Sequence, residues 1–139
     1  MRKTVLLIDY NQDLLEILQI ALKYEGLDLI TTTYPEDAFS LIKKHRPHLV
    51  VMDYLLYNKS KTQVDGAKLC QQIKLNPVTS HLPVIIYSAF NENLLPLERS
   101  GCDAFIAKPF DLTELADKFK ATINNHLHYN VITKNLKLA

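Results

Sequence analysis

Short, unbroken apolar runs recur along this chain, and between them lie stretches in which apolar positions return at helical spacing. Runs of this kind, apolar on both faces, are the pattern of strands buried inside a parallel sheet. They predict strands at residues 4–9, 27–32, 48–53, 83–88 and 103–107. Between the first two, Leu14, Leu15, Ile17, Leu18, Ala21 and Leu22 recur on a helix, and Gly26 follows as a stop signal. A second helix starts near Pro35 and runs through Ala38, Leu41 and Ile42 to Lys44, where Pro47 forbids continuation. The third runs from Asp65 or Gly66 to Lys74, puts Leu69 and Ile73 on one face and ends before Pro77. A fourth is expected to be short or broken, because Pro96 interrupts a run in which Leu94, Leu95 and Leu97 read as core. The last has the clearest start: Asp111 caps it, Glu114 reaches back and Phe110 staples onto Leu115. Its buried stripe is predicted as Leu112, Leu115, Ala116, Phe119 and Ile123.

Strict alternation of strands and helices gives an α/β fold, a doubly wound, five-stranded parallel sheet of the flavodoxin-like kind, with its sites beyond the carboxyl ends of the strands. Asp9, Asp53, Ser88 and Lys108 all fall at that edge. Two carboxylates meeting an ammonium there suggest a small phosphate and metal site.

Composition narrows the reading. The 139 residues suit one domain, with little room for a second. Sixteen Lys and Arg against fifteen Asp and Glu leave a formal charge of +1, so no global field selects nucleic acid or an anionic membrane as partner. No run approaches a membrane span, and the apolar stretch after Met1-Arg2-Lys3-Thr4 is too short for a signal-peptide core, so a cytoplasmic location is expected. Cys70 and Cys102 lack metal or redox spacing and read as reduced structural thiols.

Five pieces in order carry a family resemblance: Val5-Leu6-Leu7-Ile8-Asp9, Pro47-His48-Leu49-Val50-Val51-Met52-Asp53, Val64-Asp65-Gly66, Leu82-Pro83-Val84-Ile85-Ile86-Tyr87-Ser88-Ala89, and Gly101 through Phe110. Over about residues 3–125 the chain resembles the receiver domain of two-component response regulators. The resemblance implies that Asp53 is the phosphoacceptor, attacking the phosphorus of a histidine kinase's phosphohistidine to form an acyl phosphate. It implies a magnesium ion held by Asp9, Asp53 and the backbone carbonyl of Leu55, since hard cations prefer oxygen. Lys108 would pair with phosphoryl oxygens, Pro109 would be the family's cis proline, and Ser88 would donate its hydroxyl to the phosphate. Phe105 takes the place of the switch aromatic that moves inward as Ser88 is drawn to the phosphate. Taken alone, each residue has a plainer reading, as a turn residue, a helix cap or a core side chain.

Three departures from the family pattern bear on function. Receivers carry two adjacent acids after the first strand, and here the second place is Tyr10. A neutral phenol is a poor magnesium ligand, so weaker metal binding and slower phosphorylation are expected. Asn11 and Asp13 read as the cap and first-turn acid of the first helix rather than as substitutes. Next, Gly66 lies farther beyond Asp53 than usual, so residues 57–63 contain an insertion, expected to be a solvated polar loop beside the acceptor. In a sharper alternative, Lys59 or Lys61 folds over the site to contact phosphate or a partner. Third, the broken fourth helix suggests an unusual output face. Leu55 and Phe90 occupy the places that tune hydrolysis and cannot position a water, so a long-lived acyl phosphate is expected.

The domain reading is a receiver over residues 1–125 and a helix extension or tail over 126–139, too short for an output domain, so signalling is expected to work by protein docking. The expected partner is a sensor histidine kinase or phosphotransfer protein, and no enzymatic turnover is expected. Val131-Ile132-Thr133 offers a strand that could pair two copies as a homodimer. His126 and His128 have the wrong spacing for one helix face. Two alternatives stand beside this reading. One is a receiver-like interaction module that is not phosphorylated because of Tyr10. The other is an enzyme on a similar sheet, opposed by the missing acid two places after Asp53 and by the lack of a glycine-rich phosphate loop.

Overall fold

The computed structural model describes residues 2–89 and 99–138, with side chains described as far as residue 125. Seven strands and four α-helices are described: β1 (Lys3–Ile8), α1 (Gln12–Tyr24), β2 (Leu27–Thr32), α2 (Ala38–His45), β3 (Leu49–Asp53), β4 (Leu55–Tyr57), β5 (Gln63–Asp65), α3 (Gly66–Leu75), β6 (Val84–Ser88), β7 (Ala104–Ala107) and α4 (Leu112–Leu138). Five strands form one parallel sheet in the order β2-β1-β3-β6-β7. All five lie where the apolar runs predicted them, within a residue at their starts and ends.

Alternation along each central strand builds two core layers. Val5 and Leu7, Leu49 and Val51, Ile85 and Tyr87 face Leu15, Leu18 and Leu22 of α1 and Leu115, Ala116, Phe119 and Ile123 of α4. Leu6 and Ile8, Val50 and Met52, Val84 and Ile86 face Ala38 and Ile42 of α2 and Ala67, Leu69, Cys70 and Ile73 of α3. Residues two apart share a face of a strand, so one continuous apolar run feeds both layers.

Helix ends follow local chemistry. The Asn11 side chain accepts from the Leu14 N–H at the start of α1, and the Asp65 side chain accepts from the Ala67 N–H at the start of α3. Pro35–Asp37 form a single tight 3-10 turn before α2, and α2 stops at Arg46, in the left-handed conformation with φ 47°. Asp111 caps α4 through bonds from the Thr113 and Glu114 N–H groups at 2.7 and 3.4 Å.

Three expectations need correction. Leu112 is 42% exposed: as the first residue of α4 it precedes the turn that reaches the sheet. The insertion after Asp53 is a two-stranded antiparallel hairpin, β4 with β5, pairing Leu55 with Asp65 and Tyr57 with Gln63. Its tip closes on itself: the Asn58 N–H donates to the Thr62 carbonyl at 3.0 Å, the Thr62 N–H donates to Asn58 Oδ1 at 2.9 Å, and Lys61 takes φ 63°. The segment 131–133, expected to offer a strand, lies within the helical backbone of α4. The expected broken helix around Pro96, with Leu94, Leu95 and Leu97, lies outside the described residues, as does Phe90.

Candidate functional site

Register brings the polar residues to one edge. Ile8 pairs with Thr32 and Met52, Asp53 with Tyr87, and Ser88 with Ala107, so the carboxyl ends of β1, β3, β6 and β7 finish together. Asp9 follows β1 directly and is 2% exposed. Its main-chain N–H donates to the Thr32 carbonyl at 3.2 Å, and its Oδ1 accepts from the Asn11 N–H at 2.8 Å. Asp53 ends β3 with its Oδ1 accepting from the Leu55 N–H at 3.2 Å.

Gly66 makes the junction behind Asp53 passable. A Cβ there would lie 2.2 Å from the Asp53 carbonyl oxygen and 3.0 Å from the Tyr54 Cα, while the Gly66 N–H donates to the Tyr54 carbonyl at 2.7 Å. Only a residue without a side chain admits this approach of two backbones.

Lys108 completes the cluster from the end of β7. Its main-chain N–H donates to the Ser88 carbonyl at 2.9 Å, and the Lys108–Pro109 peptide is cis. Its ammonium lies 3.1 Å from Asp9 Oδ2 and 2.9 Å from Asp53 Oδ2, bridging the two acids. Asp9, Tyr10, Asp53, Leu55, Tyr57, Ser88 and Lys108 line a cavity of about 210 Å³ over this bridge. Ser88 itself is buried.

Burial raises the Asp53 carboxyl above its usual range; the hydrogen bond and charge of Lys108 pull against this, and the charge of Asp9 adds to it. Asp53 therefore carries a costly charge, partly offset, on a side chain still 15% open to solvent. A carboxylate so placed has a reason to accept an electrophile. The oxygens of Asp9, Asp53 and Leu55 are hard donors and suit magnesium in kind. Among the described residues, however, no third acid, His or Cys joins the pair.

Tyr10 is 62% exposed and turns to the rim, where its ring meets Tyr57 at a centroid distance of 4.8 Å and 58° between planes. Phe105 is half-buried against the layer beneath α2 and α3. Neither suggested substitute for the missing acid enters the cavity as a carboxylate: Asn11 lines it but its side chain caps α1, and Asp13 lies in that helix's first turn. Lys59 turns to the acids of the 3-10 turn. Its Nζ is 3.2 Å from Asp37 Oδ1, its main-chain N–H meets the Glu36 carboxylate at 3.0 Å, and it lies 5.3 Å from the Tyr34 ring centroid.

One residue escaped the sequence reading. Tyr87, buried on β6, donates its hydroxyl to Asp9 Oδ2 at 2.5 Å, and its ring lies 4.4 Å from the Lys108 ammonium. Burial, then the charge of Asp9, pushes the phenol well above its usual range, so it stays protonated and remains a donor. The available signal was a phenol on an otherwise aliphatic strand, since a buried Tyr hydroxyl must find a partner.

A doubly wound parallel sheet with an acid pair and a lysine at its carboxyl edge is the arrangement expected of a receiver fold. Residues 5–120 match the response regulator receiver domain, and the chain belongs to that family. It is 28% identical over 123 residues to the phosphate regulon transcriptional regulatory protein PhoB of Pseudomonas aeruginosa, an alignment that covers 87% of this chain and 52% of PhoB. The chain thus spans about half the length of that curated relative. A two-component response regulator from Clostridium difficile superposes with a TM-score of 0.75 at 25% identity, covering 88% of this chain and 97% of the other. A CheY-like receiver domain from Methanospirillum hungatei gives a TM-score of 0.80 at 18% identity, covering 93% and 99%, and shares the fold.

Proposed function

We propose that this chain is a phosphorylatable receiver that takes a phosphoryl group on Asp53 and signals by docking to another protein. The observation that carries the reading is the Lys108 ammonium bridging Asp9 and Asp53 beneath an open cavity. In the proposed step an Asp53 oxygen attacks the phosphorus of a phosphohistidine, the O–P bond forms as the N–P bond breaks, and the leaving imidazole nitrogen takes a proton from solvent. Lys108 would follow the phosphoryl oxygens, and the Ser88 hydroxyl would donate to one of them. Phe105 would carry that movement to the surface of β7. A magnesium ion held by Asp9, Asp53 and Leu55, when bound, supplies positive charge to the phosphoryl oxygens.

The phosphodonor is a sensor histidine kinase or phosphotransfer protein in the cytoplasm, and the chain acts as a messenger rather than by turning over a small molecule. In support, Ile17, Ile20 and Tyr24 form an apolar stripe on the outer face of α1, at 57%, 66% and 89% exposure. Among the described residues no helix is long and apolar enough to cross a membrane.

A second reading has its own support: with Tyr10 turned to the rim, the cavity has two acids among the described residues, which favours an interaction module that is never phosphorylated. Intact mass after incubation with acetyl phosphate and magnesium separates the two. The receiver reading expects one added phosphate on the wild type, absent from Asp53→Asn and formed faster on Tyr10→Asp. No phosphate on the wild type, with gain in Tyr10→Asp, would establish the second reading instead.

A further inference from the structure

The geometry points to Tyr87 as the positioning residue that occupies Asp9 and thereby keeps a divalent cation weakly held in this pocket. The inference rests on the receiver reading of the same site, since the cation concerned is the one that reading places there.

An ionised carboxylate offers about four lone-pair positions. On Asp9, Oδ1 accepts from the Asn11 N–H at 2.8 Å, and Oδ2 accepts from both the Tyr87 hydroxyl at 2.5 Å and the Lys108 ammonium at 3.1 Å. Three of those positions are taken, which leaves one position, on Oδ1, for a metal. Asp53 differs. Its Oδ1 accepts from the Leu55 N–H and its Oδ2 from Lys108, one donor to each oxygen, so both retain capacity for a cation or a phosphorus. The asymmetry lies in Asp9, and it is Tyr87 that creates it.

The phenol cannot easily give way. Its residue is 1% exposed within the layer between the sheet and α1 and α4. Phe110 packs edge-on against the ring at a centroid distance of 5.9 Å and 81° between planes, and Lys108 lies over the ring face. The side chain is thus clamped on two sides with its hydroxyl aimed at Asp9. A cation seeking Oδ2 must displace a buried hydrogen bond to a charged acceptor, among the stronger kinds of hydrogen bond. Tyr10 withholds one ligand from the pocket by its identity, and Tyr87 ties up another that is present.

The test is magnesium binding to the unphosphorylated full chain by titration calorimetry. Tyr87→Phe keeps the ring and removes the hydroxyl, and it is expected to bind Mg²⁺ about tenfold more tightly than the wild type. Tyr34→Phe, changed at an exposed phenol before α2, is expected to match the wild type. An unchanged or weaker affinity in a folded Tyr87→Phe protein would overturn the assignment, as would failure of both proteins to take up Mg²⁺. Loss of a merely structural bond would not raise affinity. Should Tyr87→Phe fail to fold, the wild type labelled with ¹³C at the tyrosine Cζ gives a second readout. Its Tyr87 resonance is expected to move as Mg²⁺ binds; saturation with no movement would refute the idea. Cation uptake that responds to Tyr87 while Asp53 takes no phosphate would sustain this assignment and sink the phosphoacceptor reading, so the two failures are distinguishable.

Discussion

The Asp53 carboxyl lies in surroundings that raise its proton affinity, mainly by burial. With a native pKa above its ordinary value of 3.8, the folded state binds more protons than the unfolded one between those two values, and stability falls as pH rises through that window. Asp53→Asn, similar in size and uncharged, is therefore expected to melt above the wild type at pH 7. The gap should close as pH drops below the ordinary value of 3.8, where both states of the wild type become protonated. Melting curves across pH check this, and a gap independent of pH would contradict it. Asp9, Asp53 and Lys108 were legible in the sequence because each ends an apolar run, and parallel strands deliver their ends to one edge. Tyr87 was not legible in its role: period-two alternation marks it as core, and its partner lies 78 positions away. Only the register of β1, β3 and β6 brings the two groups together.

Elements were legible where length made their period plain. The five sheet strands and the starts of α1, α3 and α4 follow from apolar runs and capping residues. The hairpin of β4 and β5 was not, because three residues per strand are too few to display a period and its polar tip resembles any solvated loop. Its order comes from elsewhere: Lys59 is fastened to Glu36 and Asp37, and the Gly66 N–H ties the far end to Tyr54. Gly66 sits where β5, α3 and the end of β3 meet. Gly66→Ala must push the Asp53 carbonyl aside, and a destabilisation of about 2 kcal/mol is expected by urea unfolding. If Asp53 takes up phosphate as proposed, the same change should slow that uptake, because the Asp53 backbone moves.

For the whole molecule, the two faces of the sheet carry different residues. One layer carries Tyr87 and, through α1, ends in the exposed stripe of Ile17, Ile20 and Tyr24. The other carries Phe105 and the hairpin side. Charging the stripe with Ile17→Glu and Ile20→Glu alters only exposed positions, so stability should change by less than about 1 kcal/mol. Phosphate uptake from acetyl phosphate should be unchanged, while transfer from a cognate kinase should fall roughly tenfold. Equal kinase transfer would remove this face from the docking scheme.

The phenols gathered around the acid pair have an optical consequence. The chain contains seven tyrosines and no tryptophan, so its intrinsic emission is dominated by its phenols. Tyr10 and Tyr57 stand over the cavity, and Tyr87 is bonded to one of its carboxylates. The ultraviolet glow of this protein is thus in part the glow of the pocket around its acid pair, a dye supplied by Tyr10, Tyr57 and Tyr87.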